Sequence, residues 1–246
     1  MSISNSHKNA VDRQFGEQAN AYFTSAVHAQ GKDLQRLAQL LEPHAGARLL
    51  DLGCGAGHAS FTAAASVAQV VAYDLSAQML AVVKQAAAEK GLNNIQLQQG
   101  VAESLPFEDA SFDLVISRYS AHHWHDVGQA LREVRRVLKP GGRAIIMDVV
   151  SPGHPLLDIY LQTVEVLRDT SHVRNYAPGE WLRLLTADRL MLEFGSWVAR
   201  MRTPAHFVTA IRALQQSVSE EVAAHFAIQP DGSFTSDIMM FEVTKG

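Results

Sequence analysis

Short apolar runs alternate with longer amphipathic segments through the middle of the chain. The runs with strand-like composition are residues 47–53, 69–75, 94–100, 112–118 and 143–150. Apolar residues at helical spacing fill the segments between them, one of which starts at Ser76 and another at Asp126, both residues that cap helices. This alternation predicts an α/β fold, a doubly wound and mostly parallel sheet with helices on both faces.

The rhythm changes after Val150, where helical patterns dominate and only residues 237–245 look like a strand. We therefore predict a mostly helical cap inserted before a last strand that returns to the sheet. The predicted divisions are an N-terminal helical segment (1–46), a cofactor-binding core (47–150), a cap and substrate region (151–235) and the return strand (236–246).

Composition narrows the class of protein and of partner. The 246 residues carry a formal net charge of −4, which argues against a surface that binds nucleic acid. Cys54 is the only cysteine, so no internal disulfide can form. The chain has no signal-peptide pattern and no run near the roughly 20 apolar residues that span a bilayer. We expect a cytoplasmic protein with a small-molecule partner, no nucleic acid and no membrane; its oligomeric state is not predicted.

Three glycines follow the first predicted strand: Gly53, Gly55 and Gly57. Glycine provides unusual backbone angles and room for a ligand to approach the main chain, and such a loop in an α/β sheet lies at a ligand site. A dinucleotide fingerprint would have a third glycine where His58 stands. A nicotinamide oxidoreductase is therefore disfavoured.

Asp74 ends the second predicted strand, beside the glycine loop. A carboxylate there can accept hydrogen bonds from both hydroxyls of a ribose. The alternative is that Asp74 only caps the following helix. With the glycine loop upstream, the ribose role is favoured, which indicates a nucleoside ligand.

Four motifs, in this order between about residues 49 and 148, resemble those of a known family. They read "LLDLGCGAGHASF", "VVAYDLSAQML", "GVAESLPFEDASFDLVISRYSAHHW" and "LREVRRVLKPGGRAIIMD". The run is similar to class I S-adenosylmethionine-dependent methyltransferases, in the branch that includes ubiquinone and menaquinone biosynthesis methyltransferases. The resemblance implies S-adenosylmethionine as cofactor and direct in-line transfer of its methyl group to a small molecule. The alternative is an S-adenosylmethionine-binding protein without transferase activity.

The resemblance also implies roles for individual residues. Asp51 and the glycine loop would shape the pocket for the methionine part, Asp74 would hold the ribose, and Leu75 and Met79 would pack on the adenine. Met79 could equally be plain helix core. The full predicted set that binds cofactor is Asp51, Gly53, Cys54, Gly55, Ala56, Gly57, Asp74, Leu75, Met79, Ala102, Glu103, Ser117 and Tyr22.

Two members of this set depend on weaker matches. Ala102 and Glu103 lie where the family meets the adenine edge, but Val101 stands where relatives often have an acidic residue. The adenine amino group would then be bound by Glu103 or by backbone carbonyls. The alternative for Glu103 is an exposed loop carboxylate. Tyr22 resembles a residue of a segment that folds over the cofactor, or else it is a packing residue.

Histidines cluster after the fourth predicted strand: His122, His123 and His125. Imidazole is a common metal ligand, but adjacent residues of a helix face different ways and no carboxylate or cysteine partner matches them, so we predict no metal site. The resemblance places a histidine such as His123 near the methyl end of the cofactor, as a catalytic residue. The alternative is a buried histidine with a satisfied hydrogen bond.

The cap offers aromatic and cationic residues expected to roof the strand ends. They are His172, Arg174, Tyr176, Trp181, Trp197, Arg200 and Arg202. Of these, Arg174, Tyr176 and Trp181 are predicted to contact the acceptor together with Tyr119. Because guanidinium binds oxyanions with paired hydrogen bonds, we predict an anionic or hydroxylated acceptor anchored by Arg174; the alternative is that several arginines are simply solvated. After residue 187 relatives usually have a Gly-containing turn and a longer strand, so the sixth strand is expected to be short or missing here.

Overall fold

A computed structural model describes residues 31–186, 193–201 and 208–246. The helices are α1 (Lys32–Leu41), α2 (His58–Ala64), α3 (Ala77–Glu89), α4 (Val127–Val137), α5 (Pro155–Arg168), α6 (Pro178–Thr186), α7 (Val208–Ser217) and α8 (Glu220–His225). The strands are β1 (Arg48–Leu52), β2 (Gln69–Asp74), β3 (Ile95–Gln99), β4 (Phe112–Arg118), β5 (Leu138–Val149), β6 (Glu193–Met201) and β7 (Phe234–Thr244). Short 3-10 turns cover Glu42–His44 and Ala121–His123.

The strands form one sheet in the order β3-β2-β1-β4-β5-β7-β6. The first five run parallel, and β7 is antiparallel to both β5 and β6. The predicted doubly wound, mostly parallel sheet is confirmed, as is the return of the last strand. Since β2 and β4 flank β1 on opposite sides, the winding direction changes at β1, and the carboxyl ends of the strands there open a crevice.

The expectation about the sixth strand is wrong. β6 is nine residues long and pairs with β7 along its whole length, from Glu193 opposite Glu242 to Met201 opposite Phe234. Because β7 runs the length of β5, its other edge offers unpaired backbone groups that a strand can satisfy. Trp197 and Arg200, expected in the roof, belong to this strand, and Arg202 lies outside the described residues.

Helices cover both faces of the sheet because the strands present apolar side chains to both faces. On one face Leu37 and Leu41 of α1 pack with Leu49 and Ile116. On the other, a larger cluster joins α4 and α6 to the sheet. Its members include Leu50, Leu52, Val71, Val115, Ala130, Val134, Ile146, Trp181, Leu185 and Phe241.

The predicted helix starts are confirmed by their capping bonds. The Ser76 hydroxyl accepts a hydrogen bond from the Met79 amide, and the Asp126 carboxylate accepts one from Gln129. The other end of α4 differs from a Pro-Gly-Gly stop, since the helix finishes at Val137 and the following residues already belong to β5. Those residues form a bulge, with the register shifting by several residues opposite β4.

The helices α5, α7 and α8 pack into a separate apolar cluster at the ends of β5 and β7. Tyr160 and Leu161 of α5 meet Ile211 of α7, Phe226 after α8 and Phe234 of β7. In the described part of the chain, no helix is both long and apolar enough to cross a membrane.

Candidate active site at the carboxyl edge of the sheet

A cleft opens at the carboxyl ends of β1, β2 and β4, where the winding direction of the sheet changes. Segments that follow four different strands meet in its walls. The lining residues are Leu52, Gly53, Gly55, Tyr73, Asp74, Leu75, Met79, Gly100, Val101, Ala102, Glu103, Tyr119, Ser120, His123, Trp124 and His125.

The three glycines of the loop after β1 have positive φ but different surroundings. Their φ angles are +73° at Gly53, +50° at Gly55 and +89° at Gly57. A Cβ on Gly53 would lie 1.8 Å from the Ser120 hydroxyl oxygen, and one on Gly57 would lie 2.7 Å from the Phe61 ring. A Cβ on Gly55 would meet nothing within 4 Å. Two glycines therefore allow close packing, whereas Gly55 leaves open space in the cleft.

The Asp74 carboxylate fastens this loop to the end of β2. Its Oδ2 accepts a hydrogen bond from the Gly55 amide and its Oδ1 accepts one from the Ser76 amide, both at 2.8 Å. The Ser76 hydroxyl caps α3, so the capping role does not fall on Asp74. A carboxylate oxygen can accept more than one hydrogen bond, and Asp74 lines the cleft, where the hydroxyls of a ligand can reach it.

Asp51 lies buried behind the glycine loop. Its Oδ2 accepts a 2.5 Å hydrogen bond from the Ser60 hydroxyl, while its Oδ1 has no partner. Burial, together with the nearby Asp74 charge, raises the pKa of Asp51 to about 7 against the opposing Ser60 hydrogen bond. A buried carboxylate in this condition suits a cationic ligand group nearby.

One wall of the cleft is apolar. Leu75, the buried Met79 and Ala102 provide its surface. Glu103 also lines the cleft, but its Oε1 accepts hydrogen bonds from the backbone amides of His125 at 2.8 Å and Asp126 at 3.2 Å. The Glu103 carboxylate therefore ties this wall to the start of α4.

Besides Asp51, four residues of the predicted set lie behind the cleft rather than in its lining: Cys54, Ala56, Gly57 and Ser117. Cys54 is buried with Leu80 of α3, and burial raises the pKa of its thiol. The Ser117 hydroxyl donates to the Leu52 carbonyl at 2.8 Å. Their contacts hold the loop and the strands in place. Tyr22 lies outside the described residues.

The histidine cluster has carboxylate partners, which corrects the expectation that none would match. His122 Nδ1 lies 2.6 Å from Asp148 Oδ1, and the His122 amide donates to Asp148 Oδ2 at 3.2 Å. Asp148 raises the pKa of His122 against the opposing effect of burial. Even so, no group of three possible ligands that could hold a metal ion occurs among the described residues.

Of this cluster, His123 and His125 line the cleft. His123 Nδ1 lies 3.3 Å from both the carbonyl and the hydroxyl oxygen of Ser171, and its ring centroid is 4.0 Å from that of His122. Burial and then the His122 charge lower the pKa of His123 well below its ordinary value. Although Asp169 Oδ2 is 3.8 Å from Nε2, that distance is too long to outweigh these effects, so His123 is neutral.

The predicted acceptor residues separate into two places. Tyr119 lines the cleft with a positive φ of +52°, beneath the Arg118 guanidinium, whose carbon is 4.5 Å from the ring centroid. Arg174 instead pairs with Glu180, with Nη2 at 3.0 and 3.1 Å from its two oxygens. Arg174 does not line the cleft.

Tyr176 and Trp181 also lie outside the cleft lining. Trp181 is only 1% exposed and contacts Phe241 and Tyr176 with ring centroids 5.4 and 5.6 Å away. Its ring is part of the apolar core beneath α6, which corrects the expectation that it roofs the cleft.

The sequence interpretation missed several lining residues, among them Tyr73, Gly100, Ser120 and Trp124. The Tyr73 hydroxyl donates to the Val101 carbonyl at 3.0 Å, and a Cβ on Gly100 would lie 1.9 Å from that hydroxyl. The positions of these four residues could have indicated that they line the cleft, because all four lie at or just after the carboxyl ends of parallel strands.

The donor set fits a nucleoside ligand that bears a cationic group. Asp74 offers two oriented carboxylate oxygens, and Met79 with Leu75 offers an apolar surface to a base. The open space at Gly55 gives access to the main chain, and the unpartnered oxygen of Asp51 lies behind that loop.

Comparisons with known proteins agree with this geometry. A family model described as a methyltransferase domain matches residues 50–146. The uncharacterized protein YafE of Escherichia coli (strain K12) is 64% identical over 203 residues, covering 78% of this chain and 98% of YafE. The uncharacterized methyltransferase YcgJ of Bacillus subtilis (strain 168) is 38% identical over 224 residues, covering 87% of this chain and 88% of YcgJ.

The crystal structure of YcgJ superposes with a TM-score of 0.82 at 34% identity, covering 87% of this chain and 98% of that structure. A demethylmenaquinone methyltransferase of Lactococcus lactis is 37% identical over 140 residues, which is 56% of this chain and 53% of that enzyme. The cleft, the sheet order and these relatives lead to one conclusion. The chain belongs to the class I S-adenosylmethionine-dependent methyltransferases, and S-adenosylmethionine is its cofactor.

Proposed function

We propose that this enzyme methylates a small molecule by direct in-line transfer, with the acceptor bound on the His123 side of the cleft. The observation that carries the proposal is the composition of the cleft at the carboxyl edge of the sheet. Its lining joins the Gly55 opening and the Asp74 carboxylate to Tyr119 and His123, so cofactor and acceptor can share it.

The cofactor residues are assigned by their chemistry. Asp74 accepts hydrogen bonds from the ribose hydroxyls, and the loop at Gly53 and Gly55 receives the methionine part. Leu75 and Met79 pack on the adenine, with Ala102 at its edge. Glu103 is assigned to holding the wall of the cleft in place, because its Oε1 already accepts hydrogen bonds from two backbone amides.

S-adenosylmethionine supplies a methyl group that is already activated on a sulfonium. The chain therefore has chiefly to align the attacking atom and exclude water. Tyr119 and Trp124 provide the aromatic walls for this, and the neutral His123 ring is assigned to a hydrogen bond with the acceptor's attacking group.

Calorimetry and turnover together test this function. The wild-type protein is titrated with S-adenosylmethionine and separately with NAD, and S-adenosylhomocysteine release is then measured with a panel of acceptors that includes demethylmenaquinol, suggested by the Lactococcus relative. We expect S-adenosylmethionine but not NAD to bind, and release to depend on an acceptor. Tight binding with no release from any acceptor would instead support a binding protein without transferase activity.

A further inference from the structure

Tyr119, which follows β4 in the wall of the cleft, has an unusual backbone conformation. In the described part of the chain, three non-glycine residues have a positive φ: Ala110, Tyr119 and Ala227. Of the three, Tyr119 is the one that lines the cleft. A tyrosine in the left-handed region is strained, and such strain persists only where the surrounding structure holds the residue in place. The contacts that hold Tyr119 therefore shape the cleft.

The positive φ changes the direction of the Tyr119 side chain. Consecutive side chains of a strand point to opposite faces of the sheet. The Tyr119 amide still continues the sheet, donating to the Met147 carbonyl at 2.8 Å, yet the Tyr119 ring lies beneath the guanidinium of the preceding residue, Arg118. The left-handed backbone is what allows these two consecutive side chains to meet.

Asp33 of α1 contacts both of these side chains. Its Oδ2 accepts a hydrogen bond from Arg118 Nε, and its carboxylate also accepts one from the Tyr119 hydroxyl. The Asp33 and Arg118 side chains are only 5% and 6% exposed, so each neutralises the buried charge of the other. A Cβ on Gly31 would lie 1.9 Å from Asp33 Oδ1, so the start of α1 has room for this ion pair because residue 31 is a glycine.

These contacts determine what Tyr119 can offer to a ligand. Its hydroxyl donates to Asp33, and burial and then the Asp33 charge raise its pKa against the opposing Arg118 charge. Tyr119 therefore acts as a ring rather than as a base. The ring also packs against the apolar cluster of α5, α7 and α8. Contacts with α1, with Arg118 and with that cluster together fix the position of the ring.

We propose that Asp33 and Arg118 are positioning residues for methyl transfer, which hold the Tyr119 ring in the wall of the cleft so that it orients the acceptor. The inference rests on the proposed function and extends it to α1, a helix that contributes no residue to the cleft lining. Because small displacements of groups that align reactants slow the chemical step, loss of the ion pair should lower kcat more than it weakens cofactor binding.

The double variant Asp33→Leu/Arg118→Met tests the proposal. Replacing a buried ion pair with apolar residues of similar size is often neutral or stabilising, whereas removing one partner leaves an unpaired charge. We expect a melting temperature near or above that of wild type and a dissociation constant of S-adenosylmethionine within about threefold. We expect kcat to fall about tenfold or more. It is measured as S-adenosylhomocysteine release with the acceptor that gives the highest kcat/KM in the panel.

Fluorine NMR follows the Tyr119 ring without an acceptor. The chain has five tyrosines, all labelled as fluorotyrosine, and the Tyr119 resonance is the one that is missing in Tyr119→Phe. We expect this resonance to be narrow in the wild-type protein and shifted or broadened in the double variant, because the ring has lost two of its contacts. Arg118→Lys, which keeps a cation beside Asp33, should recover part of the kcat that the double variant loses.

Arg143→Met/Glu242→Leu is the matched control. This ion pair joins β5 to β7, with Arg143 Nη1 2.8 Å from Glu242 Oε1, and neither residue lines the cleft. Its removal should leave kcat and the Tyr119 resonance unchanged. Tyr119→Phe keeps the ring and removes only the hydroxyl that Asp33 binds, so it tests the proposal even if the double variant does not fold. We expect it to lower kcat about threefold or more at a melting temperature near that of wild type.

The proposal requires that kcat falls and that the Tyr119 resonance changes in the folded double variant. Either change without the other overturns it, as does wild-type kcat in Tyr119→Phe. If both measurements match wild type, Asp33 and Arg118 only stabilise the fold. If S-adenosylmethionine binds but no acceptor of the panel gives release, the proposed function is overturned, and this inference with it.

Discussion

At the scale of single residues, Asp74 is the residue that we propose binds the ribose. Its carboxylate accepts hydrogen bonds from the Gly55 and Ser76 amides at the edge of the cleft. We predict that Asp74→Ala weakens binding of S-adenosylmethionine by about 1–3 kcal/mol, because a charge-assisted acceptor is lost. Isothermal titration calorimetry on the folded variant measures the change.

The control for this prediction is Asp109→Ala. Asp109 is an exposed carboxylate that pairs with Arg136 and does not line the cleft, so its removal should leave the dissociation constant unchanged. An Asp74→Ala protein that is folded and binds with wild-type affinity would refute the ribose assignment.

Asp51 makes the stability of the ligand-free protein depend on pH. Its pKa is raised from 3.8 to about 7 in the folded chain. Below pH 3.8 both states are protonated and nothing is lost; as the pH rises towards 7, the unfolded chain ionises first and stability falls. Above 7 the full cost of ionising the buried group remains, roughly 4 kcal/mol.

Asp51→Asn removes this titration. The free energy of unfolding of the variant, minus that of wild type, should be about 2–3 kcal/mol larger at pH 8 than at pH 5. Urea denaturation at the two pH values measures it, with Asp109→Asn as an exposed control that should show no such growth. A difference that shrinks with rising pH would mean that Asp51 is ionised at pH 5 in the folded chain.

At the scale of elements, α6 is fixed by its core tryptophan. Trp181 is buried against Phe241 of β7 and Tyr176. We predict that Trp181→Ala lowers the free energy of unfolding by about 3–5 kcal/mol, the usual cost of removing a large buried side chain. Chemical denaturation measures it.

Trp181→Phe, which keeps an aromatic ring in the core, should cost much less. In both folded variants the KM of the acceptor should stay near the wild-type value, because Trp181 does not line the cleft. If Trp181→Phe raised the KM of the acceptor manyfold without loss of stability, Trp181 would have to be assigned to the acceptor site after all.

β6, the strand that the sequence interpretation expected to be short or missing, shows what local sequence patterns cannot predict. β1, β2, β4 and β5 read directly from the sequence because they are buried on both faces and nearly continuously apolar. β6 contains Gly195, Ser196 and Arg200 within nine residues and lies at the edge of the sheet. It forms because β7 offers a long antiparallel partner, and that pairing is set by residues about 40 positions away.

At the scale of the whole molecule, the site is an assembly of distant segments, and its predictability divides accordingly. The positions of Gly53, Gly55 and Asp74 in the cleft were predictable because each residue lies at the carboxyl end of a parallel strand. Other contacts depend on the tertiary structure. His122 pairs with Asp148, 26 residues later, and the Asn175 amide donates a hydrogen bond to Gln162 Oε1.

The change of winding direction at β1 brings these segments together. The residues assigned to the cofactor follow β1 and β2, whereas Tyr119 and His123 follow β4. We therefore propose that this crevice binds the cofactor against the segments after β1 and β2 and the acceptor against the segment after β4, which is the central claim of the account.

The most direct test is calorimetric titration of S-adenosylmethionine into Gly55→Val and Gly91→Val. Both glycines have positive φ, at +50° and +66°, and a Cβ on either meets nothing within 4 Å, so the two variants carry similar backbone strain. Of these two glycines, only Gly55 lines the cleft. We predict no detectable binding to Gly55→Val and near wild-type affinity for Gly91→Val. Wild-type affinity in Gly55→Val would contradict the account, because the space at Gly55 would then not be the cofactor's.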